Sequence, residues 1–162
     1  MGIDVWRPTA EDWDLVRAVR LRALADAPDA FGSTLAAEIG LPEAAWRERA
    51  PSFVLAGGRD GSAPVAGLAA GWQDPAVPRC LQLVAMWVDP GHRRAGVGRA
   101  LVDAVVEGAR HLGVEEVRLW VTSQSSAARL LSEGCGFSAT GEVVPLPSNP
   151  ALDEERMVLV LG

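Results

Sequence analysis

Val88-Asp89-Pro90-Gly91-His92-Arg93-Arg94-Ala95-Gly96-Val97-Gly98-Arg99-Ala100-Leu101 decides how the rest of the chain reads. The apolar run Cys80–Val88 stops at Asp89-Pro90, and beyond the two glycines the hydrophobic period changes from that of a strand to that of a helix. Val97, Leu101, Ala104, Val105, Gly108 and Leu112 form an apolar stripe, with Arg99, Asp103, Glu107 and Arg110 on the other side. The turn therefore opens a helix. The first amides of a helix lack intrahelical partners and lie at the positive end of its dipole, so they attract anions. Glycines leave those amides uncovered, and Arg93 and Arg94 add charge beside them. A pyrophosphate suits such a turn. Two other phosphate loops fit less well. Arg99-Ala100 does not supply the Lys-Ser/Thr of the Walker pattern, and Leu101 stands where the dinucleotide fingerprint has a third small residue.

Toward the N-terminus, Cys80–Val88 and Val65–Trp72 read as strands, and Phe53–Ala56 is joined to the latter by a hairpin-like turn at Asp60-Gly61. Pro42 to Arg49 reads as a short helix, and 29–38 as a loop running into a helical piece. From Ala10 to Ala27 the spacing of Leu15, Val16, Val19, Ala23 and Ala27 predicts a helix capped by Thr9 and stopped by Pro28, after a first strand over 3–7. Toward the C-terminus, Val114–Val121 is a strand and Ser125–Glu133 a helix with Ala128 and Leu131 inward. Phe137–Val144 and Met157–Leu161 are the last strands, with 145–150 as a proline-rich loop. The expected fold is a single α/β domain over 1–162, with no linker or internal repeat.

Composition narrows the function classes. The formal net charge is −6, and the cations are all arginines without a basic tract, which argues against nucleic acid. No apolar stretch has the length of a membrane helix, and the N-terminus has no basic segment followed by an apolar run, so a cytoplasmic protein without membrane contact is expected. Cys80, Cys135, His92 and His111 form neither a disulfide framework nor a metal cluster, and no metal is expected. Cys135, beside Gly136-Phe137, reads as a packing residue.

With these elements in place the chain resembles the GNAT superfamily of N-acetyltransferases. Arg93-Arg94-Ala95-Gly96-Val97-Gly98 matches that family's Arg/Gln-x-x-Gly-x-Gly/Ala. Ser125 to Phe137 matches its Asn-x-x-Ala-x-x-Leu-Tyr-x-x-x-Gly-Phe at Ala128, Leu131, Gly136 and Phe137. The order of elements agrees over nearly the whole chain. The resemblance implies a mixed, mostly antiparallel sheet with a splayed fourth and fifth strand and helices on both faces. It implies acetyl-CoA as cosubstrate, its phosphates on Arg93, Arg94, Ala95, Gly96, Val97, Gly98 and Arg99. Its pantetheine would pair with the backbone of Met86, Trp87 and Val88, near Ser125 and Ala128. An amine of a small molecule or peptide would attack the thioester directly, and a homodimer is possible.

Three departures bear on the chemistry. The family's Asn falls on Ser125, its Tyr acid on Ser132, and a Glu base used by some relatives on Trp120. Ser132 and Glu38 are therefore the catalytic candidates, Glu38 because the 29–38 loop belongs to the acceptor side in the family. Gln82 is able to position a water, and Asp89 reads as the cap of its turn. Of the six tryptophans, Trp72, Trp87 and Trp120 are those able to line an acceptor cleft. Without the usual Tyr and Glu, an acetyl-CoA sensor without catalysis is the alternative, and a generic nucleotide-binding protein a more distant one.

Overall fold

The computed structural model describes residues 3–61 and 63–162; Met1 and Gly2, the first residues of the N-terminal segment read above, and Ser62 lie outside the described residues. The elements are β1 (Val5–Trp6), α1 (Trp13–Asp26), α2 (Leu35–Ile39), α3 (Glu43–Arg49), β2 (Phe53–Ala56), β3 (Gly67–Trp72), β4 (Cys80–Val88), α4 (Val97–Leu112), β5 (Glu116–Thr122), α5 (Ser126–Gly134), β6 (Ser138–Leu146) and β7 (Asn149–Val160). The sheet has seven strands in the order β1-β2-β3-β4-β5-β7-β6. Neighbours are antiparallel except β4 and β5. No helix among the described residues is long and apolar enough to cross a membrane.

Strand alternation distributes the core to both faces of this sheet. Phe53, Leu55 and Leu68 pack with Val16, Val19, Ala23 and Leu24 of α1. Val54, Ala56 and Ala69 pack on the other face with Val97, Leu101 and Val105 of α4. The helix ends follow from local chemistry. Thr9 and Asp12 form a reciprocal capping box ahead of α1, and Gly113, at φ 75°, closes α4 in the left-handed conformation.

The apolar stripe of α4 is rotated from the one expected. Val102, Val106 and Ala109 are buried, whereas Leu112 is 61 % exposed. Gly108 is not a stripe residue either: a Cβ there would meet Arg7 Nη2 at 2.6 Å, and Arg7 donates to Ala104 O at 3.0 Å. The 145–150 loop is also corrected. β6 and β7 run almost to the turn, with Leu146 paired to Asn149. Pro145 is tolerated because β6 is the sheet edge, and Pro150 because β7 pairs with β5 only from Glu154 onward.

The splay between the middle strands has two visible causes. β4 and β5 pair only over Cys80–Gln82 against Glu116–Arg118. On the other edge of β4, the partners step from Leu68↔Trp87 to Ala70↔Val84, so three residues on β4 oppose two on β3. That bulge holds Ala85 at φ 60°, a left-handed conformation that costs a residue with a Cβ on the order of 1 kcal/mol. It bends the end of β4 away from β5 and leaves its β5-facing backbone groups without a strand partner.

Candidate active site

Two features flank the splay: an anion-suited turn at the start of α4, and a cavity of about 730 Å³ reaching from the gap to the α1–α3 side of the sheet. In the turn, Arg94 at φ 64° and Gly96 at φ 82° are both left-handed. Gly96 is the N-cap of α4 and makes no side-chain cap hydrogen bond. Residues 93–96 are exposed, and among the described residues a Cβ on Gly96 would come near only Ile3 Cδ1, at 3.7 Å. Among the described residues, none plugs the opening of α4.

The two glycines of the motif do different work. Gly96 supplies the positive φ. Gly98 faces inward: a Cβ there would meet Leu131 Cδ2 at 2.9 Å and Met86 Cε at 3.2 Å. It lets α4 approach β4 and α5 closely, so only Gly96 bares the amides. Arg93, expected beside the phosphates, instead fastens the turn. Its Nε donates to Val88 O at 3.1 Å and its Nη2 to Asp26 Oδ2 at 3.2 Å. Asp26 also accepts from Trp87 Nε1 at 2.9 Å. Trp87 is 4 % exposed and packs in the α1 core, so its side chain lines no cleft. Asp89 caps its turn as expected, accepting from Gly91 N at 3.0 Å. The side chains of Arg94 and Arg99 are exposed.

Met86, Ser125, Ala128 and Ser132 all line the cavity. Ser125 accepts from Ala128 N at 3.3 Å and so caps α5. Ser132 is buried, and its hydroxyl donates to Ala128 O at 2.9 Å. The hydrogen that the family's Tyr would offer is therefore engaged within its own helix. Trp72 and Trp120 line the cavity too, the latter with Arg156 stacked at 4.6 Å. So do Phe31 and Gly32, from the loop expected on the acceptor side, and Pro147, from the proline-rich 145–150 loop. Those loops are joined: Ser148 Oγ donates to Phe31 O, and Asn149 Nδ2 donates to Asp29 Oδ1 at 3.3 Å.

Glu38 does not line the cavity. It is 5 % exposed and receives Arg20 Nε at 3.0 Å, Arg20 Nη2 at 2.8 Å, and both Arg49 Nη atoms at 3.2 Å. Burial opposes its ionisation, but the hydrogen bonds and charge of Arg20, with Ser33 and Arg49, outweigh that and hold the carboxyl below its usual value. A carboxylate tied on both oxygens and held ionised makes a poor proton acceptor.

Glu154, which lies ahead of the strand expected over Met157–Leu161, has the opposite environment. It lines the cavity from β7, opposite Thr122. It makes no hydrogen bond or ion pair among the described residues, and burial alone pushes its carboxyl up. The signal for it was available: counting back by two from Arg156 gives Glu154 the face opposite buried Met157. Arg20 and Arg49 were missed as well, and both line the cavity. Arg20 was legible as a charge on the α1 stripe, four residues after Val16 and three before Ala23.

The sequence profile of the acetyltransferase (GNAT) family matches residues 19–137. The chain belongs to that family. Among GNAT structures, yncA from Salmonella typhimurium, described as a putative acetyltransferase with its cofactor acetyl-CoA, superposes over 100 % of this chain and 95 % of its own, with a TM-score of 0.76 and 18 % identity. A GCN5-related N-acetyltransferase from Kribbella flavida gives 0.76 at 21 % identity over 98 % of each chain. At these identities the likeness is one of fold. In sequence, mycothiol acetyltransferase of Clavibacter sepedonicus is 41 % identical over 64 residues, 40 % of this chain and 20 % of that protein. N-acetyltransferase family 8 member 3 of Mus musculus is 42 % identical over 62 residues, 38 % and 27 % of the two chains. The matched stretch thus spans only about a fifth to a quarter of these curated relatives.

Proposed function

We propose that this GNAT protein transfers the acetyl group of acetyl-CoA to the amine of a small molecule or peptide by direct attack in a ternary complex. The observation that carries the reading is the continuity of two features. The open, uncapped start of α4 contacts Met86 and Leu131 through Gly98, and both of those residues line the cavity that holds an unpaired carboxylate. The fit to CoA rests on the turn: the amides at Gly96, Val97 and Gly98 take the pyrophosphate, with Arg94 and Arg99 beside it, and Arg93 and Ala95 hold its shape. The unpaired edge of β4 at Met86, Trp87 and Val88 receives the pantetheine arm, and Ser125 and Ala128 border it from α5. A main-chain N–H at the bulge stabilises the oxyanion.

In this reading Glu154, rather than Glu38, takes the proton from the attacking ammonium. A carboxylate with a raised pKa is a better base than an ordinary one, and its lack of a partner leaves both oxygens free. The N–C bond forms as the carbonyl π pair moves onto oxygen, and collapse of that tetrahedral intermediate restores the carbonyl and breaks the C–S bond, the sulfur leaving as thiolate. Rotation of the Ser132 hydroxyl away from Ala128 O brings its hydrogen to the departing sulfur. The thiolate is stable enough that this assistance is modest.

Calorimetric titration with acetyl-CoA, ATP and NAD, together with thiol release over a panel of amines, tests the proposal. Binding of acetyl-CoA with amine-dependent thiol release is expected. Binding without release from any amine would favour the sensor, and binding of ATP or NAD in place of acetyl-CoA would remove both.

A further inference from the structure

We infer that the acceptor carries a carboxylate as well as its amine, and that Arg49, backed by Arg20, holds it. The inference rests on the acetyltransferase reading and adds the chemical class of the acceptor. Arg20, Arg49 and Glu154 are charged residues on the cavity wall. Arg20 and Arg49 share one counter-ion, since Glu38 Oε1 accepts from both. Two cations against one anion leave this end of the cavity with an excess positive charge, and Glu38 stands behind the wall rather than in it.

Glu38 does not need both arginines, because Arg20 alone reaches both of its carboxylate oxygens. The Arg20–Glu38 pair already binds α1 to α2 with two hydrogen bonds, 3.0 and 2.8 Å long. Arg49 adds its charge beside a carboxylate that is already paired, while its side chain stays 33 % exposed. Arg20 is 95 % buried, taken from its 5 % exposure, yet its Nη1 has no hydrogen-bond partner among the described residues. An unpartnered guanidinium nitrogen in a dry site costs free energy until an anion arrives. Aromatic rings orient the two guanidinium groups: Phe31 lies 4.8 Å from that of Arg20, and Trp46 and Phe53 lie 4.6 and 6.0 Å from that of Arg49. Planar guanidinium matches a carboxylate with two parallel hydrogen bonds.

Glu154, on the same cavity wall, offers the complementary charge. The cavity wall thus presents a carboxylate to an ammonium and guanidinium to an anion, with aromatic and aliphatic surface from Trp72, Trp120 and Leu119 in the same lining. A free amino acid or a close analogue presents that combination; polyamines and simple arylamines do not.

Thiol release from acetyl-CoA is to be measured with each proteinogenic amino acid, its amide and its decarboxylated amine. The expected result is at least one free acid used about a hundredfold better in kcat/KM than its amide and amine. Arg49→Gln is expected to erase that ratio, mainly through KM, while CoA affinity by calorimetry stays within about twofold. Comparable or better use of amides and amines would overturn the carboxylate and spare the acetyltransferase reading, as would an unchanged ratio in folded Arg49→Gln. Release from no member of the panel counts against both. If Arg49→Gln does not fold by melting analysis, the wild-type comparison of acid with amide decides alone.

Discussion

The two ends of the gap between β4 and β5 are built in different ways. The turn at the start of α4 is made of backbone: six consecutive residues, Arg93 to Gly98, fix it, and their side chains mostly shape or fasten the loop. The acceptor end is made of side chains from α1, α3, β3, β5 and β7, brought together only by folding. A site made from one contiguous loop is carried wherever that loop goes. A site made from five elements changes whenever any of them does. Under the proposed function, one chain can therefore share its cosubstrate turn with a large family and keep an acceptor pocket of its own.

Substitutions at the two ends should separate cleanly. The largest effect is expected at Glu154. Glu154→Gln should lower kcat/KM by roughly 10³-fold, within the range for removal of a general base, and leave CoA affinity unchanged. Activity of the wild type should climb as pH rises through the raised pKa of Glu154, and the variant should lose that limb of the profile. The sign for stability is opposite. A carboxyl whose pKa is raised on folding contributes most below its unfolded value, and that contribution is lost as pH rises through the folded one. Glu154→Gln should therefore melt no lower than wild type at neutral pH; a lower melting temperature with full activity would show that Glu154 is architectural.

Next in size is Glu38→Gln. It leaves Arg20 and Arg49 without their shared carboxylate, and breaking such a buried group costs about 3–5 kcal/mol. Calorimetric melting should fall by roughly 6–20 °C. Because the Glu38 pKa is lowered, its contribution is present above the ordinary carboxylate range and fades as pH falls through the folded value. A variant that melts like wild type would mean that the cluster is not needed for the fold.

At the other end, Gly96→Trp combines a side chain with the left-handed φ of 82° and fills the space where the phosphates are proposed to sit. Calorimetry should show CoA binding weakened by about a hundredfold, or ~2.7 kcal/mol. Discrimination among acceptors should stay as in wild type. Undiminished CoA affinity would move the phosphates elsewhere. The smallest effect belongs to Ser132→Ala, where kcat should drop by less than about tenfold, because its hydroxyl hydrogen is engaged with Ala128 O. A thousandfold drop would make that hydroxyl a full replacement for the family's tyrosine.

Much of the fold was legible because its signals are local. Cys80–Val88 is bounded by Asp89-Pro90, and α4 is bracketed by Gly96 and Gly113, so both were bounded correctly. The stripe of α4 was misjudged at Leu112 and Gly108 because the helix ends beyond the sheet and because Arg7, far away in sequence, needs the space over Gly108. β7 was begun too late because Asp153, Glu154, Glu155 and Arg156 look like a solvated run. Paired strands on either side make that run a strand, with Glu154 facing a cavity and Glu155 meeting Arg129 of α5.

The sequence by itself determined the turn from 93 to 98, the helix it opens and the family to which the chain belongs, because a backbone conformation depends on which neighbouring residues can adopt it. The tertiary structure alone decided which carboxylate is tied to arginines and which is left unpaired. Glu38 and Glu154 have the same side chain and the same reference pKa; burial acts on both, and only Glu38 has guanidinium groups within reach.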